Sequence, residues 1–309
     1  MASTESQPAP AAQDSKPKAS KSAQAKKFKK EVDTLPDKIA SLFPSNWLTQ
    51  AGAPFIVEFT GAMMLTLVVS LTADDPNAPL PIGAILVSMI FMGGHISGGH
   101  YNPAVSLAVY VRGKISLLRL FFYMMAQVIG ALCAARIGEI TLGEDNLPLP
   151  QPGDGITTGE AFLIEFLFTY ALAAPVLTTA TTISVGDNSF YGLAIGCVVL
   201  AGGYSAGGVS GAAFNPAVAS GLFAVAGTNT KLWLYWVAPL VGGLAAGIMF
   251  HIINSDENDL RLGKIEDIER RGVAVGGQTS NYRQEVKSKN TWLQAMKAAT
   301  AVVSSEERR

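Results

Sequence analysis

The sequence predicts an all-α membrane protein of six transmembrane helices and two re-entrant half-helices, arranged as an inverted three-helix repeat. Three observations carry that prediction. Apolar runs of bilayer length fall at about 53 to 72, 79 to 97, 115 to 140, 159 to 182, 190 to 207 and 232 to 253. The tripeptide Asn-Pro-Ala occurs twice, at Asn102-Pro103-Ala104 and Asn215-Pro216-Ala217. Charge is excluded from the middle: of 23 Lys and Arg, only Arg112, Lys114, Arg119, Arg136 and Lys231 lie between residues 40 and 260.

Each span is justified by length, since about 20 apolar residues at ~1.5 Å rise cross the hydrocarbon core. Almost half the chain is hydrophobic, which together with a positive mean hydropathy separates it from a soluble domain. The stretches from Ala104 to about Val111 and from Ala217 to about Ala226 reach only half the bilayer and read as half-helices. Asn is a favoured helix N-cap and Pro a favoured first helical residue, so each Asn-Pro marks a helix start at membrane depth. Non-helical backbone is tolerated there only against protein or a water-filled cavity. The glycines before each tripeptide therefore predict a lined passage.

The repeat extends beyond the tripeptides. Ser97-Gly98-Gly99-His100-Tyr101 aligns with Ser210-Gly211-Ala212-Ala213-Phe214, Glu58-Phe59 with Glu165-Phe166, and Tyr123, Ala126 and Gly130 with Tyr235, Ala238 and Gly242. Three spans per half is an odd number, so the second half enters from the opposite face and the half-helices point at each other. The organisation is a basic tail over 1–50, a first repeat over 51–141, a connecting loop over 142–158, a second repeat over 159–254 and a C-terminal tail over 255–309. Lysines of the N-tail, Arg112, Lys114, Arg119 and the basic C-tail fall on one side, predicted to be cytoplasmic by the positive-inside rule. Asp74, Asp75, Glu144, Asp145 and Asp154 fall on the other.

Two half-helix N-termini, each carrying about half an elementary charge, converge in this reading. Taken as one charge about 5 Å from a cation at an effective dielectric of ~20, they repel it by roughly 3 kcal/mol. The Asn102 and Asn215 amides would donate to a water oxygen and turn its protons outward, interrupting a proton relay.

These motifs resemble the aquaporin, or major intrinsic protein, family over about residues 52 to 253. The likeness rests on both Asn-Pro-Ala boxes, His95-Ile96-Ser97-Gly98-Gly99-His100, Glu58, Glu165 and Tyr235-Trp236. It implies a right-handed bundle, a homotetramer with one pore per subunit, and a passive channel for water and small neutral solutes that excludes ions. Val218-Ala219 and Tyr235-Trp236 stand where glycerol facilitators carry Arg-Asp and a Pro plus a non-aromatic residue, which favours the water-type branch. Gly192 to Gly203 and Asn215 to Gly221 are similar to the plant tonoplast subgroup. Tyr204 to Gly207 is a short insertion relative to it, and Phe223 stands where Ala is usual. By distance to each box, the selectivity-filter positions are Ile82, Val199, Ala212 and Val218, with Gly203 the alternative to Val199. All four are apolar where strict water channels have an aromatic, a His, a small residue and an Arg. The pore is thus expected to be broad, passing ammonia, urea, hydrogen peroxide or glycerol. Gly98, Gly99, His100, Gly211 and Ala213 are expected to line it with backbone. Glu58 and Glu165 are expected to accept hydrogen bonds from the re-entrant loop amides.

The sequence implies no catalytic group, cofactor, metal or nucleic-acid partner; the expected partners are permeant solutes, lipid and further copies of the chain. His95 and His100 have no Cys, Asp or Glu at ligand spacing, and Cys133 and Cys197 are read as packing residues. Two other functions remain open at this point: a gradient-coupled secondary transporter, and a pore-closed structural member of the same family. The resident membrane, vacuolar or plasma, is not fixed by these residues.

Overall fold

The computed structural model describes residues 52–72, 75–143, 146–182 and 189–254. Expectations for the two tails lie outside the described residues. Among the described residues there are eight helices: α1 (Ala53–Leu71), α2 (Pro79–Ser97), α3 (Pro103–Val111), α4 (Leu117–Leu142), α5 (Thr158–Ala180), α6 (Tyr191–Ser210), α7 (Pro216–Val225) and α8 (Leu234–Ile253). Six are long and apolar enough to cross a membrane, and α3 and α7 are the two short ones.

Span boundaries follow local chemistry. Ser116 caps α4 by accepting from the Arg119 amide, which moves the start two residues in from the apolar run. A capping box of Thr157 and Glu160 opens α5. The fifth span runs three residues past the apolar stretch, through Gly207 and Gly208 to Ser210. In a water-poor setting a glycine still gains most from helical hydrogen bonds, and the helix stops only at Gly211, φ 84°, just as α2 stops at Gly98, φ 96°.

Helix packing reproduces the repeat. The exchange of α1 with α5, α2 with α6, α3 with α7 and α4 with α8 maps each major packing pair onto another or onto itself. Thus α1 on α4 matches α5 on α8, and α1 on α2 matches α5 on α6. The half-helices cross over: α3 packs on α8 and α7 on α4, so each repeat holds the other's half-helix.

Small residues make these crossings close. A Cβ at Gly130 would overlap the Phe59 carbonyl, and one at Gly243 would overlap the carbonyl of Ala104. Gly242 meets Phe166 O in the same way, completing the match with Gly130. Phe223 fills a small core beside Tyr235, with ring centroids 5.9 Å apart, and so replaces the expected Ala by packing. Cys133 and Cys197 depart from expectation. Both are exposed on outward helix faces and do not pack in the core. Their apolar surroundings are compatible with either position, which sequence cannot separate in a membrane protein.

Candidate pore and its supporting loops

Each half-helix begins as its residues dictate. Asn102 and Asn215 are extended N-caps whose Oδ1 atoms accept from the amides of Ala104 (2.8 Å) and Ala217 (3.0 Å), with Pro at the first helical position. The side-chain amides then reach across the repeat. Asn102 Nδ2 donates to Phe214 O at 2.8 Å, and Asn215 Nδ2 donates to Tyr101 O at 2.9 Å. These reciprocal bonds bring the two helix starts together. Each amide nitrogen carries two hydrogens, so one is spent on orientation and the other is left to address the cavity.

The approach loops are strained and symmetric. Positive φ occurs at Gly98 (96°), Gly99 (64°) and Tyr101 (51°), and in register at Gly211 (84°), Ala212 (47°) and Phe214 (48°). A left-handed non-glycine residue costs about 1 to 2 kcal/mol, and the two loops together have three, Tyr101 in the first and Ala212 and Phe214 in the second. Glu58 and Glu165, both fully buried, supply the compensation. Glu58 accepts from Ser97 Oγ (2.6 Å), the amides of His100 (2.9 Å) and Tyr101 (2.6 Å), and Gln127 Nε2 (2.7 Å). Glu165 accepts from Ser210 Oγ (2.7 Å) and the amides of Ala213 (3.0 Å) and Phe214 (2.7 Å). Ser97 and Ser210 also accept from Gly99 and Ala212, and Tyr123 and Tyr235 donate to the carbonyls of Ser97 and Ser210. Both carboxylates thus accept from the loop amides and from the serine before each loop.

The halves differ at one point. Gln127 bonds both Glu58 and Ser106, and Ser106 meets His100 Nδ1 at 3.1 Å. Four residues after Tyr235, where Gln127 follows Tyr123, the second half has Pro239. Four residues after Asn215 it has Ala219 where the first half has Ser106. Behind the first loop stand Gln127, Ser106 and His100; behind the second, Thr169 Oγ1 donates to Phe214 O at 3.4 Å. Gln127 and Ser106 were not foreseen, although Gln127 is an amide within an otherwise apolar run. The two serines and two tyrosines lay in the repeat alignment without a role.

Side chains of Tyr101 and Phe214 hold the strained turns from the other side. Tyr101 enters a slot over Gly61 and Gly93, where a Cβ would overlap its ring and hydroxyl, and its hydroxyl donates to Met89 O at 2.7 Å. Phe214 stacks on Phe168 at 5.2 Å beside Gly202. Gly61→Ala is expected to lower stability in detergent by about 1 to 3 kcal/mol through overpacking. Adding Tyr101→Leu, which shortens the side chain without a β-branch at φ 51°, should recover part of the loss; a double mutant whose losses simply add would show that the slot does not couple the two residues.

A cavity of about 510 Å³ runs beside these groups. It is bordered by Asn102 and Asn215, by Gly99, His100, Gly211 and Ala213, and by Ile82, Val199, Ala212 and Val218. Gly203 borders it too, one turn from Val199. Pro103, Ala104, Pro216 and Ala217 do not: they are buried behind the asparagines, starting and packing the half-helices. That differs from their expected place at the pore centre, because the Asn caps point inward and carry the following turn away. Gly98 also lies off the cavity.

Six spans, paired half-helices and a cavity passing both caps define a multi-pass membrane channel. Residues 77–250 match the Major intrinsic protein family. Aquaporin TIP2-3 of Arabidopsis thaliana is 31% identical over 253 residues, covering 79% of this chain and 98% of that one. Aquaporin TIP1-1 of the same plant is 35% identical, over 62% of this chain and 80% of its own. Aquaporin-8 of Notomys alexis is 32% identical, over 74% and 92%. The aquaglyceroporin from Plasmodium falciparum shares the fold with a TM-score of 0.58 at 23% identity, over 66% of this chain and 97% of that structure. The chain belongs to the major intrinsic protein family and is an aquaporin-type channel, not an enzyme.

Proposed function

We propose that this channel conducts water together with small neutral solutes such as ammonia, urea, hydrogen peroxide and glycerol, and excludes protons and ions. One observation carries the reading: four apolar residues, Ile82, Val199, Ala212 and Val218, border the cavity that passes Asn102 and Asn215. A filter without Arg lacks a bulky plug and five donors, so it is wider and less demanding of its solute. Val199 supplies the fourth filter side chain, since a Cβ at Gly203 would stand only 2.7 Å from Pro79 Cβ and gives the pore no bulk. Proton exclusion by half-helix dipoles belongs to aquaporin-type pores generally, and the reciprocal Asn bonds are the geometry it requires.

The assembly we propose is a homotetramer with one pore per subunit and both tails cytoplasmic, in a vacuolar or plasma membrane. Outward apolar residues such as Phe121, Ile129, Leu163 and Leu193 suit lipid and subunit contacts alike.

Stopped-flow permeability of the purified protein in liposomes tests the function. Urea and glycerol should pass alongside water. Val218→Arg should cut glycerol flux by about tenfold or more, on the scale by which added bulk in a fitted site discriminates solutes, while water falls less. Water flux with no solute uptake in the unaltered protein would reject the broad pore.

A further inference from the structure

Tyr204 opens the segment Tyr204 to Gly207 that reads in the sequence as a short insertion relative to the tonoplast subgroup. It stands on the last turns of α6, borders the cavity, and has 53% of its surface exposed. Its hydroxyl reaches across to Asn77 Oδ1 at 3.4 Å, in the link between α1 and α2. The backbone N–H of Asn77 donates to Asp75 Oδ1 at 2.8 Å. The ring therefore extends from one wall of the mouth toward another. Pro148 to Gln151 also border the cavity, and just beyond them Gly153 N donates to Val209 O at 3.0 Å near the end of α6.

Nothing else on this end of α6 narrows the entrance. Gly207 and Gly208 border the cavity, and a Cβ built on either meets no atom within 4 Å. Space is open beside them, and Tyr204 is the bulky side chain left on that stretch.

We infer that Tyr204 is a specificity-determining residue, an outer size barrier set above the four filter positions. It fixes the largest neutral solute admitted, with its ring as the working part. The inference rests on the channel reading for its solutes. An apolar filter of modest side chains discriminates little by hydrogen bonding, so a second steric restriction at the mouth takes over selection by size.

The test is a graded series of water, urea, glycerol and erythritol, measured in liposomes for the full-length protein and its variants. Tyr204→Ala should raise erythritol flux relative to water by about tenfold, the scale of steric discrimination in fitted sites. Tyr204→Phe keeps the ring and should stay within about twofold of the unaltered protein. Gly207→Leu, placed in open space, should shift the cut-off the opposite way, toward smaller solutes. An unchanged size cut-off in both Tyr204→Ala and Gly207→Leu overturns the inference. If the unaltered protein passes only water, the broad-pore reading fails separately, and the shift in cut-off between variants still decides the role of Tyr204.

Discussion

Glu58→Leu is expected to prevent assembly of a folded channel. The carboxylate receives four buried donors, from Ser97, His100, Tyr101 and Gln127, and each would be left without its acceptor. At about 1 to 3 kcal/mol for each unsatisfied buried group, the loss is about 4 to 12 kcal/mol, comparable with the whole stability of an ordinary domain. The left-handed conformations at Gly99 and Tyr101 would also lose their tether. Glu165→Leu removes three donors' acceptor and should be severe but milder, about 3 to 9 kcal/mol by the same scale. Glu58→Gln retains one acceptor oxygen and should fall between the unaltered protein and Glu58→Leu. Monodisperse yield in detergent and thermal unfolding report the order. Wild-type thermal stability in Glu58→Leu would show that the loop does not depend on the carboxylate.

Asn215→Asp should make the pore leak cations. Asp serves as well as Asn for capping, so α7 still begins at Pro216. Two things change at the centre. The donation to Tyr101 O is lost, and a negative charge takes its place among the two half-helix termini. That charge offsets the roughly 3 kcal/mol of cation repulsion from the converging dipoles. Since about 1.4 kcal/mol is a factor of ten, proton or sodium flux driven by a membrane potential should rise by about two orders of magnitude. Asn102→Asp should act in the same direction, because its amide makes the mirror-related bond to Phe214 O. Unaltered ion flux in both variants would mean that these termini do not set the barrier.

Much of this architecture was legible in the chain because its signals are local and duplicated. Asn-Pro is a helix-start signal, and two copies, each preceded at the same distance by a Ser and flanked by a matching Glu and Tyr, announce a pseudo-twofold. The aligned glutamates accept from the loop amides, and Asn102 and Asn215 cap the half-helices that the dipeptides begin. Other features have no local signature. Gln127 reads as one polar residue in an apolar run until α4 sets it between Glu58 and Ser106. Cys133 looks like any core residue because apolar surroundings in the sequence describe lipid and protein interior equally well.

The sequence by itself determined the number of spans, the two half-helices, their opposed entry and the residues that begin them, since length, hydropathy and capping are properties of short segments. Tertiary structure alone decided which way each amide points, that the second and third residues of each box lie behind the cavity, and that Tyr204 reaches over the mouth. Those outcomes depend on distances between residues far apart in the chain, such as Asn102 and Phe214 or Tyr204 and Asn77. Close helix crossings at glycines fix such distances, and no short stretch of sequence encodes them.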